Sequence, residues 1–277
     1  MRILHIGDIV GKPGRQFVNQ CLASVKEYEK LDFVIANAEN ASGGSGLTPP
    51  IFRELIAAGV DCVTLGDHIY RRREIISMLE ADEPIVKPAN YPASAPGKSW
   101  AVVNAQNGTP VAVFSLLGRV FMKPVDCPWT AAERVLNEIP AEVKIRWLDF
   151  HAEATSDMQL MGRYLDGRVT AVLGTHTHVS TADEQILPKG TAFQCDIGMT
   201  GPHDGILGRR FDRVLETTLS FRPTHFEVAS GDVQLHGTIV DVCQETGQAT
   251  AIRRLVVTQD QLRQGVYQPA SKDVAAP

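Results

Sequence analysis

The chain has 277 residues, with 27 lysines and arginines against 32 aspartates and glutamates, a formal net charge of −5; 44% of its residues are hydrophobic and 21% charged. That balance belongs to a globular protein with a sizeable core, and it excludes wholesale disorder and a broad basic surface for wrapping nucleic acid. No apolar run approaches the ~18 residues of a membrane span, and five scattered cysteines without a C-x-x-C exclude a disulfide framework and a cysteine-held zinc.

The opening MRILHIG reads as a strand, not as a signal peptide, so the expected compartment is the cytoplasm. Strands follow at Asp32–Asn37, Asp61–Leu65, Pro84–Lys87, Trp100–Asn104 and Pro110–Leu116, with Asn107-Gly108 as a hairpin turn between the last two. Helical stretches separate the early strands at Arg15–Glu29, Pro49–Ala58 and Arg71–Glu80. In the first, Phe17, Val18, Cys21, Leu22 and Val25 keep helical spacing. Thr48 is the expected N-cap of the second, with Pro49 or Pro50 in its first turn. This β-α-β-α-β order predicts parallel strands joined by right-handed crossovers.

Further strands are expected at Val143–Phe150, Val169–Leu173 and Thr191–Ile197, and helices at Thr155–Leu165 and Asp212–Thr218. Antiparallel strands close the chain at Thr224–Ala229, Val233–Val242 and Thr250–Val257. Residues 1–268 read as one domain, and 269–277 as a flexible tail.

In open parallel sheets, ligands bind beyond the carboxyl ends of the strands. Those ends read Gly7-Asp8, Asn37-Ala38-Glu39-Asn40, Gly66-Asp67-His68, His151 and Gly174-Thr175-His176-Thr177-His178. Imidazole with carboxylate and no thiolate suits zinc, iron or manganese. The donors are too many for one tetrahedral ion and enough for two ions sharing a bridging carboxylate. Such a pair can generate a hydroxide and clamp a phosphoryl group. Gly7, Gly66 and Gly174 let the backbone turn beside these residues. His176 and His178 share one face if the segment is extended. His5, inside the first strand, reads as structural. Gly7–Lys12 is no phosphate loop, because Pro13 stands where Ser or Thr is needed.

The segments MRILHIGDIVGKPGR, ANAENASGGSGLT, TLGDHIY, KPANYP, LDFHAEATS, GTHTHVSTADEQILPKGTA and DIGMTGPHDGILG together resemble the YmdB-type branch of the calcineurin-like metallophosphoesterases, over nearly the whole chain. The resemblance implies an α/β fold: a four-layer α/β/β/α sandwich of two mixed sheets flanked by helices. It implies two metal ions per chain, iron or manganese, and hydrolysis of cyclic nucleotides, 2′,3′-cyclic ones included and 3′,5′-cyclic ones among the candidates. Carried over by position, Asp8, Asn40 and His178 hold the first metal, Glu39 bridges, Asp67, His151 and His176 hold the second, and His68 donates a proton to the leaving oxygen. Three departures from the wider pattern stand out. Asp8-Ile9-Val10 lacks the superfamily's Asp-x-His, and Glu39 replaces its bridging aspartate. Asp67 stands where the branch commonly has asparagine; it adds a charge and removes an amide donor.

The leading expectation is therefore a metallophosphodiesterase in which a metal-bridging hydroxide attacks phosphorus and His68 is the general acid. Asp149 and Asp196 are candidates to orient ligand histidines. Arg119 reads either as a neutraliser of substrate charge or as half of a surface salt bridge. The glycine content of Ser42–Gly46 permits motion over a substrate. The expected partner is a cyclic nucleotide or another small phosphodiester, without a membrane or an extended nucleic-acid surface, and homo-oligomerisation stays open. Rival readings are a phosphomonoesterase acting on a nucleotide or phosphoprotein, a regulatory nucleotide- or RNA-binding protein with incidental catalysis, and a structural metal protein.

Overall fold

A computed structural model describes residues 1–263 and 274–275. In chain order the strands are β1 (Arg2–Ile6), β2 (Asp8–Ile9), β3 (Phe33–Asn37), β4 (Cys62–Thr64), β5 (Ile85–Val86), β6 (Trp100–Asn104), β7 (Pro110–Leu117), β8 (Ile145–His151), β9 (Ala171–Thr175), β10 (Gln185–Ile186), β11 (Ala192–Gln194), β12 (Met199–Asp204), β13 (Gly231–Val242), β14 (Ala249–Thr258) and β15 (Val274–Ala275). The helices are α1 (Gly11–Glu29), α2 (Pro49–Ala57), α3 (Ile76–Leu79), α4 (Pro128–Glu138), α5 (Thr155–Tyr164), α6 (Phe211–Ser220) and α7 (Gln259–Arg263).

One sheet runs β15-β14-β13-β1-β3-β4-β5, with β12 joined to β13 and β2; the other runs β10-β11-β9-β8-β7-β6. The β1, β3, β4, β5 series and the β7, β8, β9, β11 series are parallel, as the crossovers require. Alternation along the strands makes the layers. On β1, Leu4 and Ile6 pack with Phe17, Val18, Leu22 and Phe52 of α1 and α2. Ile3 turns the other way and joins Ile35, Val113, Trp147 and Val240 between the sheets. Phe114, Leu148 and Phe150 face outward again, onto Ala132 and Val135 of α4 and Met158 and Met161 of α5. The result is the expected α/β/β/α sandwich of two mixed sheets.

Several elements depart from the sequence reading. Helix α1 begins at Gly11, with Pro13 tolerated in its first turn. Thr48 sits at the N-cap of α2, but its side chain makes no capping hydrogen bond. Arg71–Glu80 is broken into a 3₁₀ turn at Arg73–Ile75 followed by the single turn of α3. Thr224–Ala229 is not a sheet strand: its backbone bonds to the 208–210 loop, through Arg210 N–H to Glu227 O and Ala229 N–H to Gly208 O. Helix α4 went unpredicted, although Pro128 at its start and the buried Ala131, Ala132, Val135 and Leu136 give the signature. Strands β2 and β12 were missed as well; they pair with each other in parallel and bring Met199 beside Asp8. Of the sequence-predicted tail, only Val274 and Ala275 lie within the described residues, where they pair with β14.

Candidate metal centre

Five separated segments deliver their donors to one edge of the sandwich. Asp8 opens β2, Glu39 and Asn40 lie in the turn after β3, and Asp67 and His68 follow β4. His151 ends β8, and His176 and His178 follow β9. Asp8, Glu39 and His151 are fully buried and Asn40 nearly so.

The donors fall into two groups. In one, ligand atoms of Glu39, Asp67, His151 and His176 all lie within 4.8 Å of one another. His151 Nε2 is 3.1 Å from Glu39 Oε1, 3.5 Å from Asp67 Oδ1 and 3.0 Å from His176 Nδ1. In the other, His178 Nε2 is 3.7 Å from Asp8 Oδ1 and 3.2 Å from Asn40 Nδ2. His68 lies beside Glu39, with Nδ1 at 3.4 Å from Glu39 Oε1 and 2.7 Å from Asn40 Oδ1; its backbone N–H donates to Glu39 Oε2 at 2.8 Å. His176 and His178 are not on one face of an extended segment. Both take positive φ, 104° and 64°, a strained conformation for histidine that sends the rings into different groups.

Neighbouring groups fix the ring tautomers. His151 Nδ1–H donates to Thr175 Oγ1 at 2.8 Å, and that hydroxyl donates on to Asp149 Oδ1 at 2.6 Å. With Nδ1 committed to Thr175, Nε2 is the nitrogen left toward the carboxylates. Asp149 Oδ2 accepts from Asn37 and Thr64 and faces His5 Nε2 at 3.7 Å. His5 Nδ1 in turn accepts from Trp147, the structural part expected of that histidine. His178 Nδ1–H donates to Leu207 O at 3.2 Å, leaving its Nε2 toward Asp8. His176 Nε2 meets Glu153 Oε2 at 3.2 Å. Asp196 acts on the loop instead of on a ring: it accepts from the backbone and hydroxyl of Thr177 and from Gly198 N–H.

This donor set fits cations. Among the described residues, the ion pairs of Asp8, Glu39 and Asp67 are all with histidines. Glu39 Oε1 and Asp67 Oδ1 are buried without a hydrogen-bond partner, a costly state for carboxylate oxygens unless a positive charge answers them. Burial pushes the Glu39 carboxyl up, but the His151 ring outweighs it and holds the group below its ordinary value. The same pair raises His151 well above an ordinary imidazole against its own burial, with Glu39 the largest attraction. Burial, then the nearby Asp8, pushes Asp196 well above the usual carboxylate range. Gly66 opens a turn in which Ile69 N–H donates to its carbonyl, and it also supplies space. A Cβ there would overlap the His151 ring and Glu39 Oε2.

Some candidates stay outside. Arg119 has an exposed side chain, and its backbone N–H donates to Asp157. Arg71, Arg72 and Arg73 are exposed, as a solvated helix start should be, although Arg72 reaches Ser42 O. Four residues near the site carried no sequence signal of their own. Thr175 links His151 to Asp149, Glu153 meets His176, and Lys123 donates to the Asp67 carbonyl at 2.7 Å. Arg209 donates to the carbonyls of Gly43, Gly44 and Phe226.

A layered α/β/β/α sandwich with paired histidine–carboxylate groups at one edge defines a metallophosphoesterase-type protein. The YmdB-like protein family model matches residues 4–255, and the chain belongs to that family. It is 43% identical over 262 residues to the 2′,3′-cyclic-nucleotide 2′-phosphodiesterase of Bacillus subtilis (strain 168), covering 95% of this chain and 99% of the relative. Among solved structures it superposes on a hypothetical protein from Thermus thermophilus with a TM-score of 0.87 and 41% identity, over 93% of this chain and 99% of that one. A phosphatase from Mycoplasma pneumoniae gives a TM-score of 0.86 and 28% identity, over 93% of each chain. The expected family, and with it the expected enzyme class, a phosphodiester hydrolase, are borne out. Among the described residues no helix is long and apolar enough to cross a membrane.

Proposed function

We propose that the chain is a dinuclear metal-dependent phosphodiesterase that opens 2′,3′-cyclic nucleotides. The observation that carries this reading is the cluster of Glu39, Asp67, His151 and His176, in which the buried oxygens Glu39 Oε1 and Asp67 Oδ1 have no hydrogen-bond partner, with Asp8, Asn40 and His178 grouped beside it. Asp8, Asn40 and His178 would hold one ion, Asp67, His151 and His176 the other, with Glu39 between them. Iron or manganese matches these oxygen and imidazole donors. Such a pair supplies a nucleophile at neutral pH and positive charge against the phosphoryl oxygens.

The chain's own residues do the rest. Asn40 presents Nδ2 to Asp8 and His178, and Oδ1 to His68. A half-turn of this isosteric amide would turn its oxygen to the first ion and its N–H to His68 Nδ1. The ring proton of His68 then sits on Nε2, the atom that delivers it to the departing ribose 2′ oxygen. His68 suits this work because it is 26% exposed and held at both ends, by its backbone N–H on Glu39 and its ring on Asn40. Asp67 adds a negative charge to the second group and favours a more highly charged ion there.

The test is hydrolysis of 2′,3′-cyclic AMP by protein loaded anaerobically with iron or manganese, beside identically treated Asp8→Ala and His68→Ala proteins. A 3′,5′-cyclic nucleotide and a phosphomonoester run in parallel. Metal-dependent opening of the 2′,3′-cyclic diester, lost in Asp8→Ala and reduced about 10²-fold or more in His68→Ala, is expected. A fully loaded wild type that leaves the cyclic diester intact, or that prefers the monoester, overturns the reading.

A further inference from the structure

Beside the metal centre lies a cleft of about 390 Å³, within the range of small-molecule sites, ~300–1,000 Å³. His178 is the wall it shares with the centre, and Met199, the strand partner of Asp8, also lines it. Val179 and Leu207 border it with apolar side chains that are 58% and 49% exposed. Apolar surface left open beside so polar a centre marks a place for a ligand.

Opposite stand two histidines that the metal centre does not use. His203 and His236 stack with ring centroids 4.5 Å apart and planes 25° from parallel. Each is pinned by one nitrogen: His203 Nδ1–H donates to Gly201 O at 3.0 Å, and His236 Nε2–H to Gln234 Oε1 at 2.9 Å. Burial, then the neighbouring His203, lowers His236 to about 4, so at neutral pH its ring is uncharged. Arg254 also lines the cleft, with its Nε 2.8 Å from Glu184 Oε1, and beside it stands the pinned aromatic pair. That pair is a good surface for the face of a planar heterocycle.

We infer that this cleft is the nucleobase subsite of the enzyme, taking the base of the cyclic nucleotide while its cyclic phosphate lies at the metal centre beyond His178. The inference rests on the cyclic-nucleotide reading of that centre. It also ranks substrates: a purine covers more of the stacking surface than a pyrimidine and is the better base.

The test compares kcat/KM for 2′,3′-cyclic AMP with that for glycerol 1,2-cyclic phosphate, which has the same strained five-membered diester and no base. Metal-loaded wild type, His203→Ala and Val179→Trp are measured. Val179→Trp fills the mouth of the cleft from an exposed position and removes no buried group, so it guards against a folding artefact. The wild type is expected to favour the nucleotide at least tenfold, and adenosine to inhibit it competitively. Each variant should lose about tenfold of that selectivity through a higher KM for the nucleotide. A selectivity ratio unchanged in both variants, whether activity holds or falls on both substrates, overturns the subsite and leaves cyclic-nucleotide hydrolysis standing. A wild type that opens the glycerol diester but no cyclic nucleotide overturns the underlying reading instead.

Discussion

Replacing Thr175 by valine keeps the side-chain shape and deletes one hydroxyl. That hydroxyl accepts from His151 Nδ1–H and donates to Asp149 Oδ1. His151 has no exposed surface, so its N–H would lose its acceptor where water does not reach. The other group near that nitrogen, the Asn37 amide Nδ2 at 3.5 Å, is itself a donor. An orphaned buried donor costs about 1–3 kcal/mol, and the lost bond to a carboxylate adds to it, for a total of about 2–4 kcal/mol. For a chain of this length that lowers Tm by roughly 3–7 °C. The ring would also lose the anchor that aims Nε2 at Glu39 and Asp67, so manganese affinity should fall about 10–100-fold. Calorimetric titration with manganese and a thermal melt read the two effects on one sample. Thr175→Ser keeps both hydrogen bonds and should stay near wild type. A valine variant that melts within about 2 °C of wild type and binds manganese unchanged would show that Thr175 does not position His151.

Two further outcomes follow from charge and burial. Asp67→Asn removes one of the carboxylates of the Glu39, Asp67, His151 and His176 group and introduces an amide donor. Manganese affinity measured by titration should drop about tenfold or more, while at saturating metal the KM for the cyclic diester should fall, not rise. His236→Phe keeps the stack with His203 and removes a titrating group. Because burial and His203 set the folded value of His236 at about 4, below its ordinary 6.5, the unfolded chain takes up this proton first. The stability due to neutral His236 is complete above the unfolded value and is lost as pH falls toward about 4, an effect on the order of 3 kcal/mol. Denaturant melts at pH 7 and pH 4.5 should therefore show a smaller loss for the variant than for wild type; equal losses would refute the assignment.

The parallel sandwich was legible because its signals are local. Each crossover helix has an apolar stripe, and each strand ends in a cluster of glycine and polar residues. The donors could be read for the same reason, since Asp8, Glu39, Asp67, His151 and His176 each lie at the end of a strand or within three residues after it. Geometry across the site was not legible. The strained φ of His176 and His178 is imposed by packing after β9 and leaves no trace in the letters T-H-T-H. Thr175 looks like any strand-terminal threonine until β8 places His151 beside it in register. Gly66 opens the turn it suggested, but the space it leaves for a ring delivered by a strand of the other sheet could not be read.

The Ser42–Gly46 segment shows how far composition misleads without contacts. Three glycines in five residues read as a lid free to move. Gly43, Gly44 and Gly46 do take positive φ, 62°, 84° and 86°, but they do so inside a closed arrangement. Ser42 N–H donates to Gly46 O, and Gly46 N–H to Glu39 O. Arg209 grips the Gly43 and Gly44 carbonyls, and Arg72 reaches that of Ser42. A Cβ on Gly44 would overlap the Arg209 guanidinium. The glycines thus admit an arginine clamp against the turn that carries Glu39 and Asn40. Burial lowers Arg209 from its ordinary value, so the charge is held at a cost that three carbonyl acceptors offset. A clamped loop keeps the Glu39 carboxylate in place before substrate arrives. Preorganisation of that kind is what electrostatic stabilisation of a phosphoryl transition state requires.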